Sequence, residues 1–327
     1  MSNTYKIICL FLLSCVCKNA NANWHQHTFT VMGTQAHVEF WHPSALQSDE
    51  AQALVAIVVA EMDRINQLMS PYIETSQLSQ VNLLAAQQPV PIKLELYLLI
   101  KDAQHIAQLT HGAFDITYAS VGYQYNYRES IKPNAQAIAK SLEAINYQSI
   151  LLKGADHSIH FTHPDIKIDL GGIAKGHAVK QAIALLKQQG IEHALVSAGG
   201  DTSMLGDRRG RPWYVGVKHP RSPDKTAVTI PLENESISTS GDYERYFIED
   251  GIRYHHIINP KTGDSAREVI SVSIMGKNAT YVDALSTAVF IKGLNEGMSL
   301  INNLADYEAI IIDNARTMHM STGLQQN

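Results

Sequence analysis

The pair Asp250-Gly251 sits between two short runs rich in Tyr, Phe and Ile, "YERYFIED" and "GIRYHHI". An Asp-Gly pair flanked in this way is the strongest local signal for a two-residue β-hairpin. "TFTVMGTQAHVEFWHP" reads as two strands around Met32-Gly33-Thr34, and "YEAIIID" followed by "TMHMS" reads as a last hairpin. Strands joined by turns this tight run antiparallel, because parallel neighbours need a long crossover. Helical spacing occupies the rest. Leu54, Ile57, Val58, Ile65 and Leu68 recur over 49–69 until Ser70-Pro71 stops them. Further helices are expected over 94–109, closing at His111-Gly112, over 134–145, and over "TYVDALSTAVFIKG", where Val282, Leu285 and Val289 share a side. The expected fold class is α+β: mixed helices and largely antiparallel, hairpin-linked strands in one body without an evident linker.

The first 22 residues read differently. Lys6 is followed by an apolar run over 7–17 and by Ala20-Asn21-Ala22. A charged start, a short apolar core and an A-x-A site are the layout of a secretory signal. The run is too short to span a bilayer as a helix. The expectation is a signal peptide at 1–22 and one domain at 23–327. "LLSC", ending at Cys15, also resembles a lipobox, which would instead tether the protein to the inner membrane by a lipid on Cys15. Either route makes the protein exported and periplasmic. Cys9, Cys15 and Cys17 all fall in this segment. A processed chain therefore has no thiol or disulfide chemistry. Losing Lys6 and Lys18 moves the net charge from −5 to −7, and no basic stripe suggests nucleic acid.

The stretch that raises a chemical question is "KIDLGGIAKGHAVKQ". Ile166, Ile168 and Leu170 alternate with Lys167 and Asp169, which predicts a half-buried strand entering the pair Gly171-Gly172 and then a helix. A strand, a glycine turn and a helix start can seat a phosphate. They are also an ordinary way to turn a corner, and the spacing fits neither dinucleotide nor P-loop signature. Asp283 and Thr287, four apart on a helix, face the same way and are hard oxygen donors suited to Mg²⁺. Alone the pair means little. "GAFDIT" offers Phe114 and Asp115, and "STSGDYERY" gathers hydroxyls at Ser238, Thr239 and Ser240 in what can be a polar turn. His255 and His256, adjacent in a strand, face opposite sides, so one at most enters a site. Motifs for serine hydrolases, zincins and thiol redox enzymes are lacking.

Singly weak, these motifs are informative in order. "VMGT", "MSPY" with "SQLSQVN", "GAFDIT", "IDLGGIAKGHAV", "VSAGGD", "ISTSGDYERYF", "HHIINPKTG" and "VDALSTAVF" run over about 30–313. The chain resembles the ApbE family, the FAD:protein FMN transferases. The resemblance implies an enzyme that uses FAD and Mg²⁺ to place FMN on a Ser or Thr hydroxyl of an acceptor protein, releasing AMP. It implies a metal held by the Gly172 carbonyl, Asp283 and Thr287. FAD contacts would be Met32, Tyr72, Ala113, Phe114, Asp115, Asp169, Lys175 and Ile257, with His256 as the catalytic base. The implied partner is an acceptor subunit of a membrane redox complex. FAD hydrolysis to FMN and AMP, or non-catalytic FAD binding, are the alternatives. The chain departs from the family after "GAFDIT", where the tyrosine-rich loop 118–127 replaces a Gly-Pro-Leu type stretch. It also has His177 where tyrosine is common.

Overall fold

A computed structural model describes residues 23–42, 48–222 and 224–325. The signal segment 1–22 and Cys15 lie outside them. Strands β1 (Asn23–Val31) and β2 (Thr34–His42) form the first hairpin. Both turn residues, Met32 and Gly33, are left-handed, at φ 51° and 72°, the geometry that matches strand twist. Helix α1 (Ser48–Met69) stops before Ser70-Pro71, as its sequence predicts. A short α2 (Gln77–Leu84), absent from the sequence reading, is capped by the Ser76 hydroxyl, which accepts the Ser79 N–H.

Strand β3 (Val90–Pro91) leads to α3 (Leu94–Leu109). Gly112, at φ 77°, closes α3 by donating its N–H to the Ala107 carbonyl. The expected loop 118–127 instead contains a 3₁₀ turn (Ile116–Tyr118) and the single-turn α4 (Ala119–Gly122). Then follow α5 (Ala135–Leu142), β4 (Ile150–Lys153) and β5 (Ser158–Phe161). Strand β5 pairs between β3 and β4.

The strand expected over 166–170 does not form. Among the described residues no strand pairs with it; one backbone bond, Asp169 N–H to the Ile116 carbonyl, and several side chains stand where a ladder would be. Asn82 exchanges two hydrogen bonds with the Ile168 backbone, Ser120 accepts from Lys167 N–H, and Tyr123 donates to the Ile168 carbonyl. Nor does alternation leave Asp169 outside, for it is buried.

After α6 (Ala174–Gln188) the chain makes β6 (His193–Ala198), β7 (Asp201–Leu205), β8 (Trp213–Lys218), β9 (Thr226–Leu232) and β10 (Ser236–Gly241). The hydroxyl-rich "STSG" is thus a strand, not a polar turn. Strands β11 (Tyr246–Glu249) and β12 (Ile252–His255) flank Asp250-Gly251 as predicted. Last come β13 (Val269–Gly276), α7 (Ala279–Asn302), β14 (Tyr307–Asp313), β15 (Met318–Met320) and α8 (Thr322–Gln325).

Eight strands form one wholly antiparallel sheet in the order β1-β2-β6-β7-β10-β13-β14-β15. Helices α1, α6 and α7 cover one face. Val282, Leu285, Val289 and Phe290 of α7 pack on Val272, Ile274 and Ile311. The β8–β9 ribbon covers the other face through Trp213, Val217, Ile230 and Leu232, against Ile237, Met275 and Ile310. This double cover buries all eight residues of β13, serines included. Among the described residues no helix is long and apolar enough to cross a membrane.

Candidate functional site

The site lies where α6 begins and crosses α7. Gly176 makes the crossing possible: a Cβ there would stand 2.3 Å from the Ala279 carbonyl oxygen and 2.6 Å from the Asp283 Cβ. With the backbones this close, Asp283 Oδ2 accepts the Gly176 N–H at 2.9 Å. A carboxylate from α7 thereby satisfies an orphan donor at the positive end of α6. The glycine turn precedes it. Gly171 N–H donates to Asp169 Oδ1 at 2.6 Å, and a Cβ on Gly172 would lie 3.2 Å from Thr287 Oγ1 and 3.3 Å from the Phe114 ring. The fold therefore brings Gly172, Asp283, Thr287, Phe114 and Asp169 together from positions up to 173 residues apart.

Lys175 rises from the first turn of α6. Its ammonium is 2.9 Å from Asp201 Oδ2, 3.6 Å from Asp283 Oδ2 and 3.1 Å from the Gly171 carbonyl. Burial alone would lower the lysine pKa; the two carboxylates outweigh it and hold the ammonium above the usual lysine range. Burial and the nearby Asp201 carboxylate push Asp283 up, against the pull of Lys175 and the Gly176 N–H. Asp201 is buried, and its Oδ1 has no hydrogen-bond partner. The sequence reading quotes "VSAGGD" but assigns Asp201 no role. The available signal was an acid directly after a glycine pair, at a strand start.

The two adjacent histidines have different surroundings, although only His255 is in a strand: β12 ends there and His256 follows it. His255 is fully engaged: its Nε2–H donates to the Ala266 carbonyl at 2.6 Å and its Nδ1 accepts the Ile257 N–H. Burial lowers its pKa to about 4. Among the described residues His256 is tied through its backbone, donating N–H to the Arg245 carbonyl. Its Nδ1 is shielded and unpartnered. Burial, with His255, Arg245 and Lys175 adding positive charge, lowers its pKa to about 3. His256 is thus the available imidazole, held neutral. Arg245 is a second residue that sequence reasoning missed; it also lies beside Asp169 and the Gly33 turn.

The other expected contacts are scattered in character. Met32 occupies the β1–β2 turn, and Ala113 and Ile257 are buried. Tyr72 is 79% exposed, near the rings of Tyr118, Tyr123 and Tyr127. The Asp115 carboxylate is occupied within the fold, accepting from Thr117 N–H, Thr117 O–H and Tyr147 N–H. His177 bonds Glu95 on α3 at 2.9 Å. A large groove lined by Leu294, Met298, Met318 and Met320 lies at the opposite end of α7, away from these groups.

Could this site hold a metal? Among the described residues no three His, Cys, Asp or Glu side chains gather as ligands. The donors here are carboxylate, hydroxyl and carbonyl oxygens. Oxygen donors of these three kinds suit a hard divalent cation such as Mg²⁺.

Comparison with known proteins fits this geometry. A Treponema pallidum protein named FAD:protein FMN transferase is 30% identical over 312 residues, covering 90% of this chain and 86% of its own. A Vibrio cholerae protein of the same name is 28% identical over 277 residues, covering 82% and 81%. The crystal structure of the ApbE protein from Thermotoga maritima superposes with a TM-score of 0.84 at 32% identity, covering 93% of this chain and 99% of that one. Fold and relatives together define a transferase. A model of the ApbE family matches residues 32–311, and the chain belongs to that family.

Proposed function

We propose that this protein transfers FMN from FAD to a Ser or Thr hydroxyl of an acceptor protein, with Mg²⁺ bound and AMP released. The observation that carries the proposal is the meeting of Gly172, Asp283 and Thr287 beside Lys175 at the start of α6. Gly172, Asp283 and Thr287 would hold the ion. When bound, Mg²⁺ supplies charge neutralisation at the pyrophosphate. Phosphoryl-type transfer needs little covalent help from protein; it needs positioning and charge.

This chain's residues supply both. Lys175 and the α6 N-terminus place positive charge where a pyrophosphate would lie. Met32, Tyr72, Ala113, Phe114, Asp115, Asp169 and Ile257 line its approach. The acceptor oxygen attacks the FMN-side phosphorus, the P–O bond to AMP breaks, and the hydroxyl proton passes to His256. Its ring is neutral, and nearby phosphate charge would raise its basicity toward that proton. Export, read from residues 1–22, and an acceptor in a membrane redox complex belong to the same proposal.

The test is intact-mass spectrometry of a candidate acceptor domain incubated with the protein, FAD and Mg²⁺. A gain of one FMN, lost with chelator and with Asp283→Ala, is expected. AMP release at equal rate with and without acceptor would replace transfer by FAD hydrolysis.

A further inference from the structure

Two buried carboxylates share one lysine at this site, and they share it unequally. Lys175 Nζ is 2.9 Å from Asp201 Oδ2 and 3.6 Å from Asp283 Oδ2. A second ammonium proton is directed to the Gly171 carbonyl at 3.1 Å. We propose that Asp201 is a positioning residue that draws Lys175 aside and so keeps the Asp283 carboxylate open to a divalent cation. This rests on the cation reading above and adds a residue and a role to it.

An ammonium and a divalent cation compete for the same carboxylate. Without Asp201, Asp283 would be the remaining buried carboxylate within reach of Lys175. The ammonium would then close on Asp283, neutralise it and repel an incoming ion. Asp201 can resist this because it cannot follow the lysine. Its backbone is pinned on both sides, opposite Ala198 in β6 and Ser238 in β10. The turn before it is equally fixed, since a Cβ on Gly200 would stand 2.6 Å from the Thr239 carbonyl oxygen. Asp201 meets Lys175 through Oδ2 while its Oδ1 is unpartnered, so its position rests on its strand and not on a hydrogen bond through Oδ1.

The experiment measures Mn²⁺ binding to the full chain, metal alone and without FAD, from the loss of the free-ion electron paramagnetic resonance signal. Melting temperatures of each variant check folding. D201N is expected to weaken Mn²⁺ binding about tenfold or more, the usual cost of losing a group that orients a ligand set. K175Q is expected to bind at least as tightly as the unmodified protein, and D201N/K175Q to recover most of the D201N loss. Unchanged binding in D201N overturns the proposal. So does a D201N defect that K175Q fails to rescue, which would make Asp201 a direct ligand. Weaker binding in K175Q overturns it too, whether or not D201N folds. If the unmodified protein takes up no Mn²⁺, the cation reading itself fails and this inference falls with it.

Discussion

Asp169 and Asp283 are both buried carboxylates beside the same glycine turn, yet they are satisfied in opposite ways. Asp169 is held chiefly by fixed dipoles, Gly171 N–H at 2.6 Å and Tyr123 O–H at 3.2 Å, with the Arg245 guanidinium a weaker influence nearby. Burial, with the Asp169 charge adding to it, raises Tyr123, so the phenol stays a proton donor. Asp283 faces a mobile kind of charge, the Lys175 ammonium, together with a second carboxylate. A carboxylate satisfied by fixed dipoles is a piece of scaffold. One balanced by a lysine on a flexible stem can exchange that partner for another cation. The tyrosine-rich segment therefore stiffens the approach to the site, and the α6–α7 crossing keeps its charge exchangeable.

Five changes would break or sharpen that contrast. The largest effect is expected at the crossing. Gly176→Ala drives a methyl into the Ala279 carbonyl and Asp283, both on a rigid helix. Chemical denaturation should show a loss of about 3 kcal/mol or more, and a stable variant would mean that the helices are not so tightly opposed. Asp283→Ala should lower the rate of acceptor labelling about 100-fold or more while the fold persists; full activity would remove Asp283 from the chemistry.

The third change concerns pH. The His256 pKa in the folded chain, about 3, is below its unfolded value near 6.5. As pH falls from 6.5, the unfolded chain gains a proton that the folded chain refuses, so stability falls. Comparing the protein with His256→Asn across pH 7 to 4 isolates this. The difference should shift against the unmodified protein by more than about 1 kcal/mol by pH 5; parallel curves would show that the imidazole is not held neutral.

Tyr123→Phe removes the donor to Asp169 Oδ2 and to the Ile168 carbonyl. Thermal unfolding should register about 1 kcal/mol, and no change would show that Asp169 needs no clamp. Tyr72→Ala should be smallest for stability, within about 0.5 kcal/mol, because the ring is 79% exposed. A change in KM for FAD without one in melting temperature would place Tyr72 at the ligand.

Much of the framework was legible in the sequence because its signals are local. Met32-Gly33 and Asp250-Gly251 turn where left-handed backbone is tolerated. Gly112 closes α3 through a bond reaching only five residues back. Val282, Leu285 and Val289 share the buried side of α7. The strand expected over 166–170 failed for the opposite reason. Its long-range hydrogen bonds come from Asn82, Ile116, Ser120 and Tyr123, 45 to 86 residues earlier in the chain, which no local period encodes. The double burial of β13 was hidden likewise, since its alternation cannot say that a ribbon covers the second face.

The same division holds at the site. Sequence alone determined that Asp283 and Thr287 share a helix side and that a glycine turn precedes α6, because both are local features of one short stretch. Only the tertiary structure decided which histidine is free, and only it set Asp201 across from Lys175. Both outcomes depend on what stands opposite: the Ala266 carbonyl at His255, and a separate hairpin's carboxylate at Lys175. Electrostatic partnership acts over a few ångströms in space without regard to sequence separation, so it becomes readable only once the chain has folded.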